Sequence, residues 1–135
     1  MGVALGEMAG RVVLKRPKLA VRSKASIRKT VQELDRLRRY FERSVEKDAQ
    51  AYAALIAVLH RSGSTRVQRQ RAVRRAIIVP LGMCEAAVEA LKHLKRLDEQ
   101  AGPYLRADLK AARALIQAAF QSAAEMVKIN LKDME

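Results

Sequence analysis

The stretch that decides the fold is residues 31–59, VQELDRLRRYFERSVEKDAQAYAALIAVL. Its apolar residues recur at steps of three and four, which is the spacing of one face of an α-helix. They are Val31, Leu34, Leu37, Phe41, Val45, Tyr52, Leu55, Ile56 and Leu59. The pattern therefore predicts one long amphipathic helix whose apolar stripe faces a core.

Asp48 interrupts this stripe, because it lies three residues after Val45 and four residues before Tyr52. An unpaired carboxylate is costly to bury unless it accepts hydrogen bonds or stays protonated. The spacing by itself favours an ion pair between Asp48 and an arginine at the edge of a helix interface. A functional role for this carboxyl is the alternative.

The composition predicts a single all-α domain, residues 1–135. A chain of 135 residues has the usual size of one domain, and half of its residues are hydrophobic. Segments of alternating β-branched residues joined by hairpin turns are missing from the sequence. It also lacks a signal peptide and an apolar run of about 20 residues, so we expect a cytoplasmic protein that does not cross a membrane.

The first helix is expected to pack very closely against its neighbours. Gly2, Gly6 and Gly10 recur every four residues and would align on one helix face. Pro17 cannot continue this helix comfortably, so a basic loop should join it to the long second helix.

Turn residues divide the remainder into three further helices, about five in all, of an up-and-down bundle. The turn at 62–64 precedes a third helix at 65–78, and Pro80 predicts a break. A fourth helix should then end near Leu97, and a last one should span 105–131. The fourth helix should direct inward Leu81, Cys84, Val88, Leu91 and Leu94. Faces rich in Ala and Gly favour self-association, so we expect a dimer.

The net charge of +13 indicates an anionic partner without saying which one. Nucleic acid, an anionic membrane surface and a polyanionic metabolite all fit this charge. The segment 61–75 holds six arginines and no acid, so it is either a solvated surface or an anion-binding wall. Few aromatics and no recognisable motif make nucleic acid the least favoured partner.

The sequence predicts no metal site, because His60, Cys84 and His93 lack the paired spacing of metal ligands. Cys84 is the single cysteine, which excludes an internal disulfide, and it falls on the apolar stripe of its helix. We expect Cys84 in the core as a small apolar residue. His93 falls off that stripe, and we expect it in solvent.

Four short motifs follow one another along the chain at helix-scale separations. They are Asp48-Ala49-Gln50-Ala51-Tyr52, Val79-Pro80-Leu81, Ala107-Asp108-Leu109 and Val127-Lys128-Ile129-Asn130-Leu131. Together they resemble the formiminotetrahydrofolate cyclodeaminase and methenyltetrahydrofolate cyclohydrolase family over nearly the whole chain. The last motif is the most specific of the four.

The resemblance implies a dimeric helical bundle that binds a tetrahydrofolate derivative between its helices, with no other cofactor. Its reactions would be closure of 5-formimino-tetrahydrofolate with loss of ammonia, or hydrolysis of the 5,10-methenyl bridge. Asp48 would be the general acid or base. The residues that would bind the folate and its polyglutamate tail are Lys15, Arg16, Lys18, Tyr52, Asp108 and Asn130.

The chain departs from the family pattern at both ends. We expect it to begin within the family's first helix, without the Pro-Gly-Gly-Gly-type stretch that usually leads into that helix. Val13, Lys15 and Leu19 stand where the family usually has Thr, Gly and Tyr, and Met126 stands where it has Asn. These departures leave a second hypothesis open, a catalytically inactive shortened paralogue that serves as a helical anion- or protein-binding module.

Overall fold

The structure is a computed structural model that describes residues 1–132. Residues 133–135, which the predicted domain includes, lie outside the described part. The described chain forms four helices, α1 (Gly2–Leu14), α2 (Val21–His60), α3 (Arg66–Asp98) and α4 (Pro103–Lys132). The all-α prediction is confirmed for these residues, whereas the number of about five helices is wrong for them.

The predicted break at Pro80 accounts for the difference, because α3 continues through this residue. Proline removes one helical hydrogen bond and is costly inside an isolated helix. Here Pro80 is fully buried, and Ala76 and Cys84, one turn to either side, are buried as well. Tertiary packing on both sides of the proline outweighs the local preference for a break.

The four helices form an up-and-down bundle. Helices α1 and α3 each contact both α2 and α4, whereas α2 and α4 do not contact each other anywhere in residues 1–132. Helices α2 and α4 therefore occupy diagonal positions, and α1 and α3 fill the space between them.

Close approach of α1 depends on its three glycines, as predicted. A Cβ atom at Gly2 would lie 2.8 Å from the carbonyl oxygen of Ala112 in α4. A Cβ atom at Gly6 would collide with the Leu94 side chain of α3, and one at Gly10 with Val31 of α2. The glycine face therefore brings α1 against all three other helices.

Helix α1 accompanies only part of α2. At 1.5 Å per residue α1 is about 20 Å long and α2 about 60 Å. Beyond the N-terminal end of α1 the chain forms a three-helix half with a small core of Leu55, Ala72, Val73 and Ala76. We call this part the distal half.

Several residues predicted to lie in the core are exposed, so those predictions are wrong. They are Val45, Tyr52 and Leu59 of α2 and Leu81 and Val88 of α3. On α2 the apolar stripe is buried as far as Leu37, where α1 covers it. In the distal half α3 still covers the stripe at Leu55, whereas Val45, Tyr52 and Leu59 lie on a side of α2 that no described helix covers.

Gly10→Val tests the close approach of α1. The added Cβ atom would lie 2.5 Å from Cγ2 of Val31, whose branched side chain cannot rotate away without strain. Overpacking should lower the free energy of unfolding by at least about 2 kcal/mol, more than any gain in helix propensity. Urea denaturation followed by circular dichroism measures this loss.

Met8→Ala is the matched control, since Met8 lies on the exposed face of the same helix. It should change the free energy of unfolding by no more than about 0.5 kcal/mol. Equal stability of Gly10→Val and the wild type would contradict the close packing of α1.

Candidate functional site

Asp48 is half-buried and has no ion-pair or hydrogen-bond partner among residues 1–132. The expected ion pair with an arginine is therefore wrong for the described chain. Burial alone raises the pKa of the Asp48 carboxyl above its ordinary value of 3.8. The chain keeps a carboxyl in a partly apolar setting without a cation to stabilise its charge.

A groove opens at the N-terminal end of α1, and its lining on α2 reaches to within one turn of Asp48. It has a volume of about 390 Å³ and is lined by residues of all four helices, among them Val45, Met83 and Ala119. Because α1 separates α2 from α4, the space between those two helices opens where α1 ends. Asp48 and Tyr52 lie one and two turns after Val45 on the same face of α2, so they extend this wall of the groove.

Asn130 satisfies a backbone carbonyl that Pro80 leaves without a partner. In an α-helix the carbonyl of Ala76 would accept a hydrogen bond from the N–H four residues later, which Pro80 does not have. The Nδ2 atom of Asn130 donates to the Ala76 carbonyl oxygen over 2.9 Å instead. Two of the four family-like motifs therefore meet in one interaction between α3 and α4.

Asp48 and Asn130 lie at a similar level along the bundle. Helices α2 and α3 are antiparallel, and Tyr40 lies against Gly82. Eight residues further along α2, Asp48 comes within one turn of the level of Ala76, the hydrogen-bond partner of Asn130. We call Asp48, Tyr52 and Asn130 the Asp48 group.

The other predicted site residues lie at the opposite end of the bundle. We call Lys15, Arg16, Lys18 and Asp108 the loop group. Arg16 Nη1 donates to the Gln100 carbonyl oxygen over 2.8 Å, which ties the α1–α2 loop to the turn before α4. Lys15 and Lys18 are exposed, and Asp108 is half-buried in the second turn of α4.

One chain does not bring the two groups together. The part of α2 between Val21 and Asp48 alone spans about 40 Å. Asp108 and Asn130 are separated along α4 by about 33 Å. The structure therefore places the two groups nearly the length of the bundle apart.

The arginine-rich segment lies closer to the Asp48 group. Arg61, Arg71 and Arg75 line a pocket of about 190 Å³ between the ends of α2 and α3. Arg75 also lines a second groove with Lys47 and Ala51, the neighbours of Asp48 in the sequence. This positive surface lies in the same half of the bundle as the Asp48 group, although none of its cations pairs with the Asp48 carboxyl.

An ion network missed from the sequence holds α1 beside the groove. Glu7 is buried in α1 and accepts from Arg11 over 2.6 Å and from Arg38 over 3.2 Å. Arg38 also donates to Asp35 and Glu42, over 2.7 Å in each case, and these carboxylates raise the pKa of Arg38. The only feature of the sequence that could have indicated this network was Glu7, an acidic residue among the small residues of α1.

The prediction for Cys84 is confirmed, whereas the prediction for His93 is wrong. Cys84 is buried as expected, and burial raises the pKa of its thiol. His93 is buried too, with only 8% of its surface exposed, so the prediction that it is solvated is wrong. It lies beside Glu89 of α3 and Glu33 of α2, a cluster that sequence reasoning missed. The spacing of four residues between Glu89 and His93 was the available signal.

The fold and its motifs have counterparts among known proteins. The family model described as Formiminotransferase-cyclodeaminase matches residues 1–135. The chain belongs to this family. Membership confirms the resemblance that the four motifs indicate.

A solved structure of formiminotetrahydrofolate cyclodeaminase from Thermotoga maritima has the same fold as this family member. The two align with a TM-score of 0.82 and 22% sequence identity, over 99% of this chain and 69% of that one. No curated protein sequence matches the chain. Within residues 1–132 no helix combines the length and the apolar character needed to cross a membrane.

A double-mutant cycle tests the coupling between Pro80 and Asn130. Asn130→Ala should lower the free energy of unfolding by about 1–3 kcal/mol, because the Ala76 carbonyl loses its donor. In a Pro80→Ala background the new N–H can bind that carbonyl within the helix. The cost of Asn130→Ala should then shrink by about 1 kcal/mol.

Gln121→Ala, an exposed change on the same helix, is the control and should have the same small effect in both backgrounds. Urea denaturation of the four proteins in the cycle gives the coupling energy. A coupling energy of zero would show that the carbonyl does not depend on Asn130.

Proposed function

We propose that this chain is a cytoplasmic folate one-carbon enzyme. Its reaction would be that of a formiminotetrahydrofolate cyclodeaminase or of a methenyltetrahydrofolate cyclohydrolase, without a cofactor beyond the tetrahydrofolate derivative itself. The observation that carries the proposal is Asp48, a half-buried carboxyl with a raised pKa that lies one turn along α2 from the groove-lining residue Val45, in a member of this family.

Both reactions move protons at a one-carbon unit attached to N5 and N10 of the folate. A carboxyl is a better proton donor and acceptor when its pKa moves toward neutrality. Burial moves the pKa of Asp48 in that direction. We assign to Asp48 the transfer of a proton to or from the nitrogen or the water that reacts.

The other members of the Asp48 group suit substrate binding. Tyr52 is 57% exposed, and its ring offers a flat face to a pterin. The amide nitrogen of Asn130 is committed to Ala76, but its carbonyl oxygen can still accept from the pterin. Lys47 and Arg75 would bind the anionic tail of the same molecule.

A second copy of the chain would explain the loop group. The separation of about 40 Å along α2 keeps the two groups of one chain nearly a bundle length apart. The exposed apolar residues Val45, Tyr52 and Ile129 of the distal half are suited to burial against another protomer. We propose a homodimer in which the loop group of one protomer approaches the Asp48 group of the other.

The arginine-lined pocket favours a second candidate, an anion-binding module without catalysis. Arg61, Arg71 and Arg75 converge there and form no ion pair within residues 1–132. This candidate predicts binding of folate polyglutamates without turnover. The first candidate predicts both binding and turnover.

Asp48→Asn separates stability from activity. The amide cannot transfer the proton, so turnover of both folate substrates should fall by at least about 100-fold. At pH 7 the variant should nevertheless melt at a higher temperature than the wild type, because it no longer holds a desolvated charge.

The pH dependence of this gain has a defined sign. The folded-state pKa of Asp48 lies above the ordinary value of 3.8, so ionised Asp48 destabilises the fold above the folded-state pKa. The penalty fades as pH falls through that pKa, and below 3.8 Asp and Asn should be equally stable. Glu46→Gln, an exposed change on the same helix, should alter neither property. Full turnover by Asp48→Asn would remove Asp48 from the mechanism.

Mixing two inactive variants tests the shared site. Asp48→Asn lacks the proton carrier, and Lys15→Ala/Lys18→Ala lacks two exposed cations of the loop group. After joint refolding at equal amounts, half of the dimers are mixed, and each mixed dimer holds one intact site. Activity should reach about one quarter of the wild type. Activity equal to the mean of the two parents would contradict a site shared between protomers.

A further inference from the structure

The buried histidine of α3 lies in a cluster that the proposed folate reaction does not use. Glu89 and His93 are one turn apart on α3, and Glu33 faces them from α2. One potential ligand atom from each residue lies within 4.8 Å of the other two. The cluster joins the two longest helices of the bundle.

His93 has no hydrogen bond within the described chain. Its Nδ1 atom is buried without a partner among residues 1–132. Its Nε2 atom lies 3.9 Å from Oε1 of Glu89, too far for a hydrogen bond. Only 10% of the side chain is exposed, so solvent does not easily replace the missing partner. The imidazole therefore lies beside two carboxylates without a hydrogen bond to either, which leaves room for a ligand between them.

We propose that Glu33, Glu89 and His93 bind a divalent transition-metal ion of the Zn²⁺ class. One imidazole nitrogen and two carboxylate oxygens form a donor set that Zn²⁺ and Co²⁺ accept. Carboxylates and a histidine from facing helices also build the metal sites of other helical bundles. Three protein ligands leave a fourth position for water.

The required movement is small. Metal–ligand distances near 2.1 Å place tetrahedral ligand atoms about 3.4 Å apart, so the three atoms need to close by about 1 Å. Burial, with Arg96 as a second cause, lowers the pKa of His93.

Arg36 is the competitor for this site. It donates to the carboxylates of Glu33, over 2.8 Å, and of Glu89. Its side chain is 53% exposed, so it can move into solvent when a divalent ion replaces its single charge. Removing Arg36 should therefore tighten metal binding, although it destroys two ion pairs.

Cobalt titration of the tag-free, chelator-treated chain tests the site. A Cys84→Ala background removes the single thiol, and visible absorption follows Co²⁺ in four-coordinate geometry. We expect one equivalent of Co²⁺ to bind and Zn²⁺ to displace it. His93→Gln and Glu89→Gln should each weaken binding by at least about tenfold. Arg36→Gln should strengthen it several-fold.

His60→Gln is the matched control, because His60 is the other histidine and is exposed at the end of α2. It should bind Co²⁺ as the wild type does. Circular dichroism confirms folding of each variant without metal, and Glu33→Gln takes the place of His93→Gln if that protein does not fold. No saturable binding below about 1 mM would overturn the site. The site would also be overturned if Co²⁺ still bound to His93→Gln but no longer bound to His60→Gln. The readout is metal binding, so it does not depend on folate turnover.

Discussion

The carbonyl of Ala76 is the point on which the distal half of the structure depends. Pro80 leaves it without a helical donor, and the amide of Asn130 supplies the missing hydrogen bond. An unsatisfied buried carbonyl would cost about 1–3 kcal/mol, a large fraction of the stability of a small domain. The bond also fixes the end of α4 against α3 at the level of Asp48, where α1 no longer contributes to packing. The proline, the asparagine and the carboxyl are thus parts of one arrangement.

The groove opens at the point along the bundle where α1 ends. Four helices share a core near Leu34 and Leu94, and the glycines of α1 allow that core to close tightly. Three helices continue beyond it with a small core of Leu55, Ala72, Val73 and Ala76. Asp48 lies one turn beyond the groove-lining residue Val45, where it is half-buried. That position keeps the carboxyl desolvated and reachable at the same time.

Local pattern predicted most of the fold. The periodicity of 31–59, the turn at 62–64 and the glycine spacing of α1 all correspond to structure, because each depends on neighbours a few residues apart. The break at Pro80 was wrong because packing of the whole of α3 outweighs a local preference. The prediction that His93 is solvated was wrong because residues of α2 pack beside it. The sequence of α3 alone does not show which helix packs there. Burial of Val45 was wrong for the same reason, since periodicity does not say where a partner helix ends.

The candidate site was predictable by residue but not by arrangement. The motifs singled out Asp48 and Asn130, and the bundle carries them to one level on two helices that both flank α3. The same motifs gave no sign that the loop group lies nearly a bundle length away. Such a separation follows from the lengths of α2 and α4 and from the direction in which each helix runs. It is the reason for proposing that a second protomer completes the site.

Titration of isotopically labelled protein with 5-formyl-tetrahydrofolate, followed by backbone amide chemical shifts, tests the central claim most directly. If the groove beside α1 binds the folate, the amides around Asp48, Tyr52 and Asn130 will shift together and saturate at one ligand per site. Addition of a polyglutamate tail should extend the shifts to Lys47 and Arg75. Shifts confined to the arginine-lined pocket at the ends of α2 and α3, or no shifts at all, would contradict a folate site at Asp48.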